Sequence, residues 1–429
     1  MIRPTKEKPN TSLNSTPHRT RMKKSNNSST LPYFVGVVFA LMLILVYISP
    51  LKFLAPSGSK TATHSNPNTY TSKVKVNPQN NNSREPTTRD PLSLVASGHL
   101  NLIKLSGSGT GTFCALNFDK HTQDPSTYPM FRDLVKVSKC DSSSNTYNIP
   151  LDDAVRAARD YDKEHSISSS LPRGFVFHES RCGSTLAANS LAVAADDHRV
   201  YSESAPVPTA VRTGKVNTIR DVIYLMSRGP GGEAAKTFFK FQSIMSLSMD
   251  LILKAFPQVP WIFVYREPVQ VMMSHLKGAG GGTRGGGTPN CAKAKSNPNS
   301  EVVEIFKRHR QNIKRATNEM FCAAHLSTLC ESAVKNARHS GGLGRLVNYE
   351  GLVESLKTDI IPSHFNVPVA SKGAKRIDEV GGVYSKARKP GTEWVEDSKK
   401  KEEQASEQVV EASDIFLKQV YIDMLKKGQ

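Results

Sequence analysis

No Cys-x-x-Cys pair and no cluster of histidines occurs in the 429 residues, so the chain offers no zinc-type ligand spacing and no metal is expected. It also lacks Gly-x-x-x-x-Gly-Lys-Ser/Thr, whose lysine reaches the terminal phosphates of a nucleoside triphosphate; that absence weighs against kinase or ATPase chemistry. Acidic residues are scarce: 38 Asp and Glu stand against 57 Lys and Arg, a formal charge of +19. Such a balance favours acidic partners in general. The cations are spread through leader, stem, loop and tail rather than gathered on an aromatic-bearing face, so nucleic acid is not the expected partner.

What is present begins with an uncharged run, Leu31 to Ile48, extendable past Ser49 and Pro50 to Leu51. It is long enough for a bilayer span of about 20 residues. Arg3, Lys6, Lys8, Arg19, Arg21, Lys23 and Lys24 precede it with only Glu7 opposing, which keeps the amino terminus cytosolic and sends the rest across. The chain is thus divided into a cytosolic basic tail (1–30), a transmembrane signal anchor (31–51) and a stem (52–91). A cleaved signal peptide is the alternative for the apolar run. The stem is dominated by Ser, Thr, Asn, Pro and Lys, buries almost nothing and is expected to be disordered. Asn81-Asn82-Ser83 is its lumenal glycosylation sequon.

The most informative segment is Gly174-Phe-Val-Phe-His-Glu-Ser-Arg-Cys-Gly-Ser-Thr-Leu-Ala-Ala188, an apolar strand running through a tight Gly/Ser turn into a helix. A helix N-terminus presents unpaired N–H groups and the positive end of its dipole, so an anion is held there mostly by backbone. Gly183 permits close approach, Ser184 and Thr185 supply hydroxyls, and Arg181 supplies charge. A second junction follows, where the apolar run Trp261 to Tyr265 ends in Arg266 and Pro268 opens a helix that carries Ser274 two turns on. Arg266 and Ser274 can converge on one more phosphate.

Together the two junctions resemble the sulfotransferase family, which uses 3′-phosphoadenosine-5′-phosphosulfate (PAPS). The resemblance spans roughly residues 172 to 400 and includes Asn348-Tyr-Glu-Gly-Leu-Val353, similar to the family's Tyr-Glu-Asp-Leu segment. It implies an α/β fold, a P-loop-NTPase-like parallel sheet flanked by helices, over 166–429. It implies PAPS as co-substrate, with Arg181, Cys182, Gly183, Ser184 and Thr185 on the 5′-phosphosulfate and Arg266 with Ser274 on the 3′-phosphate. Cys182 stands where Ser is usual, and a thiol donates hydrogen bonds poorly; Gly351 replaces the Asp. Arg388-Lys-Pro-Gly-Thr-Glu-Trp394 loosely resembles the family's Arg-Lys-Gly cofactor loop, interrupted by Pro390. By resemblance to membrane-bound members, the protein is expected in the Golgi membrane with its catalytic domain lumenal.

Between the junctions the chain alternates: a strand at His198 to Ser202, a helix at Val216 to Met226, a strand at Thr237 to Phe241, a helix at Ser243 to Phe256. Ligands are then expected at the carboxyl ends of parallel strands. Sulfuryl transfer to an alcohol needs a base for the hydroxyl proton and cations where charge develops. Glu203, just after the second strand, matches the base of several carbohydrate and tyrosyl-protein branches of the family. His178 and His275 are its rivals, Arg181 is the first choice for leaving-group stabilisation, and Lys240 is the second. The expected acceptor is a glycan hydroxyl or a protein tyrosine.

Residues 92–165 read as an N-terminal lobe or cap, with a helix from Leu151 to Tyr161 and no assigned role. The glycine-rich 277–289 fits a mobile acceptor loop or an inert insertion, and Lys399 to Lys401 begins a charged helix read as a solvated face. With Cys182 in the phosphate loop, Cys114, Cys140, Cys291, Cys322 and Cys330 remain, so at most two bridges form. If Glu301 to about Lys335 is one helix, Cys322 and Cys330 lie ~12 Å apart along it and cannot bridge each other; Cys291 is the nearest other partner. The alternative functions are a nucleotide-dependent kinase on the same scaffold and a catalytically silent lumenal binding protein.

Overall fold

The computed structural model describes residues 90–428 apart from 169–170, 233–235 and 281–287. The expected span, its basic flank, the stem to residue 89, Asn81 and the middle of the glycine-rich segment lie outside the described residues. Among the described residues no helix is long and apolar enough to cross a membrane.

A helix α1 (Pro91–Ala96) leads into a three-stranded antiparallel sheet of β1 (Asn101–Leu105), β2 (Thr110–Cys114) and β3 (Tyr147–Pro150), followed by α2 (Leu151–Glu164). The sheet was not legible in the sequence because its strands are short and half polar, with Gly111 inside β2 and three of four β3 residues exposed. The lobe is bolted to the rest by Arg228. Its buried guanidinium donates to the carbonyls of Val95 (3.2 Å), Ala96 (2.5 Å) and Ala158 (3.3 Å) and to Asp162. Tyr224 donates to the other Asp162 oxygen at 2.6 Å.

The second sheet is wholly parallel: β4 (Gly174–His178), β5 (His198–Ser202), β6 (Lys236–Lys240), β7 (Trp261–Tyr265) and β8 (Gly344–Asn348), in the order β5-β6-β4-β7-β8. Helices cover both faces, so every residue of β4 and β7 is buried, and both strands are apolar but for His178 at the end of β4 and the Tyr265 hydroxyl at the end of β7. From β4 the chain runs to one side for β5 and β6, then crosses to the other for β7 and β8. Strand β4 is therefore the switch point, and a crevice opens beyond its carboxyl end. Helix α3 (Ser184–Val193) leaves that end, buried along its whole length. Helix α4 (Pro268–Gly280) leaves β7.

Two expected helices differ in form. Residues 243–256 start as a 3-10 helix, Ser243–Ser248, and become α-helical only over Met249–Ala255. The stretch 301–335 is two helices, Ser300–Arg308 and α5 (Asn318–Arg338); left-handed Arg310 ends the first and Thr317 caps the second, its hydroxyl accepting from Met320 N–H at 3.2 Å. Cys322 and Cys330 share α5. Cys322 bridges Cys291, Cys114 bridges Cys140, and Cys330 stays a buried thiol. A short helix α6 (Ser398–Glu403) comes near the end of the chain.

Candidate active site

The first junction turns on three left-handed residues: Ser180 (φ 79°), Arg181 (φ 58°) and Gly183 (φ 88°). Only glycine fits at 183. A Cβ there would lie 2.4 Å from the Tyr349 ring. Gly183 caps α3 without a side-chain hydrogen bond, and the Ser184 N–H that opens the helix lies against the Cys182 thiol. The Thr185 hydroxyl is buried at the same spot and has no hydrogen-bond partner. A buried hydroxyl without a partner beside a helix N-terminus is chemically suited to an oxyanion.

At the second junction Glu179, the residue after β4, accepts from the Arg266 N–H at 2.6 Å. The Arg266 guanidinium lies over Tyr349, donates Nε–H to Gln270 Oε1 at 2.5 Å and Nη2–H to Ser398 Oγ at 2.6 Å. Arg181, Gly183, Ser184 and Thr185 from the first junction, and Arg266 and Ser274 from the second, line one cavity of about 410 Å³. A neighbouring cavity of about 740 Å³ shares Leu186, Arg266, Tyr349 and Trp394 with it, giving the cleft an aromatic wall.

Cys182 departs from expectation. Its thiol turns into the core and donates to the Val264 carbonyl at 3.0 Å, and burial pushes it up to about 12. Only its backbone can face a ligand. The Cys-for-Ser exchange therefore fills a packed position behind the turn and leaves the hydroxyl set intact.

His178 is likewise committed. Nδ1 accepts from the Ser180 N–H at 2.9 Å, so the proton sits on Nε2 and is donated to the Phe241 carbonyl at 3.0 Å. Burial, then the charge of Lys240, holds the ring well below the usual imidazole range. With both nitrogens engaged, His178 braces the turn and has no free nitrogen for proton transfer. His275 is also held neutral, at about 4, by burial and then by Arg181.

Glu203 adopts a left-handed conformation (φ 59°) at the end of β5. The parallel register sets Ser202 against Lys240, so the Glu203 N–H reaches the Lys240 carbonyl at 2.7 Å and Lys240 Nζ donates back to Glu203 Oε1. Lys240 is fully buried, whereas the Glu203 side chain is 28 % exposed. Neither residue of the pair lines the cavity; Lys386, which does, feels the charge of both. Burial, then the charge of Lys240, lowers the Lys386 ammonium to about 8, with Glu203 opposing.

Lys386 escaped the sequence reading, which singled out the Arg388 segment. Arg388 instead pairs with Asp133 of the lobe at 3.3 Å, and a backbone bridge between Val383 and Glu393 folds the segment so that Lys386 and Trp394 face the cleft. Lys401, read as part of a solvated face, is buried and donates to Asp397 at 2.6 Å. Glu179 was also missed; its signal was a carboxylate at the end of an apolar strand. Burial outweighs the Arg266 N–H and raises its carboxyl to about 8.

No protein-family model matches the chain, and no curated protein matches its sequence. A solved structure aligns with the chain in three dimensions. The fold is similar to that of sulfotransferase STF9 from Mycobacterium avium, at 10 % identity and a TM-score of 0.39, over 72 % of this chain and 86 % of that one. The chemistry of the cleft rests on the residues of this chain alone.

Proposed function

We propose that this protein is a PAPS-dependent sulfotransferase that moves a sulfuryl group to a hydroxyl of a glycan or protein in the secretory pathway. The observation that carries the reading is one cavity walled by both anion-binding junctions, Arg181 to Thr185 and Arg266 with Ser274. The residues fit the donor. The orphaned Thr185 hydroxyl and a turn too tight for a Cβ suit a phosphosulfate on the start of α3. Arg266 and Ser274 would hold the 3′-phosphate, and Tyr349, Trp394 and Leu186 offer flat apolar surface to a base.

The donor supplies an electrophilic sulfur. The acceptor oxygen forms its bond to that sulfur as the bond to the 5′-phosphate oxygen breaks, and the hydroxyl proton passes to Glu203, which Lys240 orients. Arg181 and Lys386 supply positive charge where the leaving phosphate oxygen gains negative charge. Two disulfides in the described residues suit an oxidising lumen, in keeping with a type II anchor at 31–51.

The test is transfer of labelled sulfate from PAPS to glycan and peptide pools. The expected outcome is transfer by the native protein and a loss of about 100-fold or more in Glu203→Gln, with binding of adenosine 3′,5′-bisphosphate retained. Binding with no transfer, insensitive to Glu203→Gln, would make the protein a silent lumenal binding protein. ATP-dependent phosphorylation of the same pools would make it a kinase.

A further inference from the structure

The second anion site already holds an anion belonging to the chain. Asp397 Oδ1 lies 2.6 Å from Lys401 Nζ and 3.6 Å from Arg266 Nη2, and all three residues line the cavity that contains the 181–185 turn. The two cations are nearly buried, with side chains 8 % exposed, whereas that of Asp397 is 45 % exposed. Two buried cations thus share one carboxylate that is open to solvent on its other side. Asp397 precedes α6, yet its carboxylate caps no N–H of that helix. Its polar contacts are these two cations, and its removal takes no cap from the fold.

We propose that Asp397 is a specificity-determining residue of the donor site, an internal competitor standing where the 3′-phosphate would bind between Arg266 and Lys401. The inference rests on the sulfotransferase reading. A phosphate arriving beside an ionised carboxylate meets like-charge repulsion, so it binds only as Asp397 swings toward solvent. The carboxylate holds Arg266 and Lys401 in place in the empty site and sets how tightly a 3′-phosphorylated nucleotide displaces it. A nucleotide without a 3′-phosphate never meets this competition.

The experiment is calorimetric titration of the full-length protein, native and Asp397→Asn, with adenosine 3′,5′-bisphosphate and with adenosine 5′-monophosphate at two salt concentrations. The expected result is about three- to tenfold tighter binding of the bisphosphate by the variant, shrinking at high salt, with the monophosphate unchanged. Asp397→Ser, which removes the charge and keeps a small polar side chain, is the second variant, and unchanged monophosphate binding certifies its fold. Equal or weaker bisphosphate binding by variants that bind the monophosphate normally would overturn the inference and leave Asp397 a scaffold for the two cations. If native and variant proteins bind neither nucleotide, the donor reading itself fails and the inference falls with it.

Discussion

The Arg266 guanidinium lies over the Tyr349 ring, 4.2 Å from its centroid, and the same ring closes against Gly183. One aromatic plane therefore spaces the two strand-to-helix junctions. A residue from beyond β8 thus sets the distance between two strand ends that the sequence keeps far apart.

Gly183→Ala is expected to lower stability by about 2–4 kcal/mol, because it adds left-handed strain to a collision with the Tyr349 ring. Binding of adenosine 3′,5′-bisphosphate should be lost with it. Gly391→Ala is the control: Gly391 is also left-handed (φ 69°) with open space around it, so the strain alone should cost about 1 kcal/mol. Denaturant melts of the two variants give the comparison.

The Lys386 ammonium titrates at about 8 because burial and Lys240 disfavour its charge. Transfer activity that uses this cation should fall as pH rises through about 8, the ammonium being lost. Lys386→Arg, whose guanidinium stays charged, should shift that alkaline limb upward by at least about one pH unit. The folded value lies below the ordinary 10.5, so stability should rise between about pH 8 and 10.5 as the burial penalty is relieved.

Glu179 shows the opposite sign. Its folded carboxyl titrates at about 8 against an ordinary 4.5, so the native protein keeps a proton that the unfolded chain releases across this range. Stability contributed by the neutral carboxyl is full below about pH 4.5 and is lost as pH rises to about 8. Glu179→Gln should flatten that slope, which amounts to about a few kcal/mol, in melts recorded from pH 5 to 8. An unchanged slope would place the titrating group elsewhere.

Replacing Cys291 and Cys322 together by Ser should cost about 2–5 kcal/mol. Non-reducing peptide mapping should recover the Cys291–Cys322 and Cys114–Cys140 pairs, with Cys182 and Cys330 as free thiols. Recovery of Cys330 in a bridge would contradict its contact with Glu179, to which it donates at 3.2 Å.

The parallel core was readable because its signals are local. His198 to Ser202 and Trp261 to Tyr265 form strands over the expected bounds, the second along its apolar run, and Ser184 opens the helix that the Gly/Ser turn foreshadows. The two strand-to-helix junctions were readable for the same reason. The antiparallel lobe was not, since strands that are half exposed carry a weak period-two pattern. Nor was the orientation of Cys182 or His178, because which way a turn residue points depends on the carbonyls packed behind it, Val264 and Phe241 here.

By itself the sequence determined that two apolar strands run through short turns into helices, because strand, turn and helix start are each specified within a few neighbouring residues. Only the tertiary structure decided which charges meet at those turns. Glu203 and Lys240 are 37 residues apart, and Arg266 and Ser398 are 132 apart. Sheet order and register bring the first pair together, and the docking of α6 brings the second. A charge's partner is set by where the chain returns in space, and no local pattern records that return.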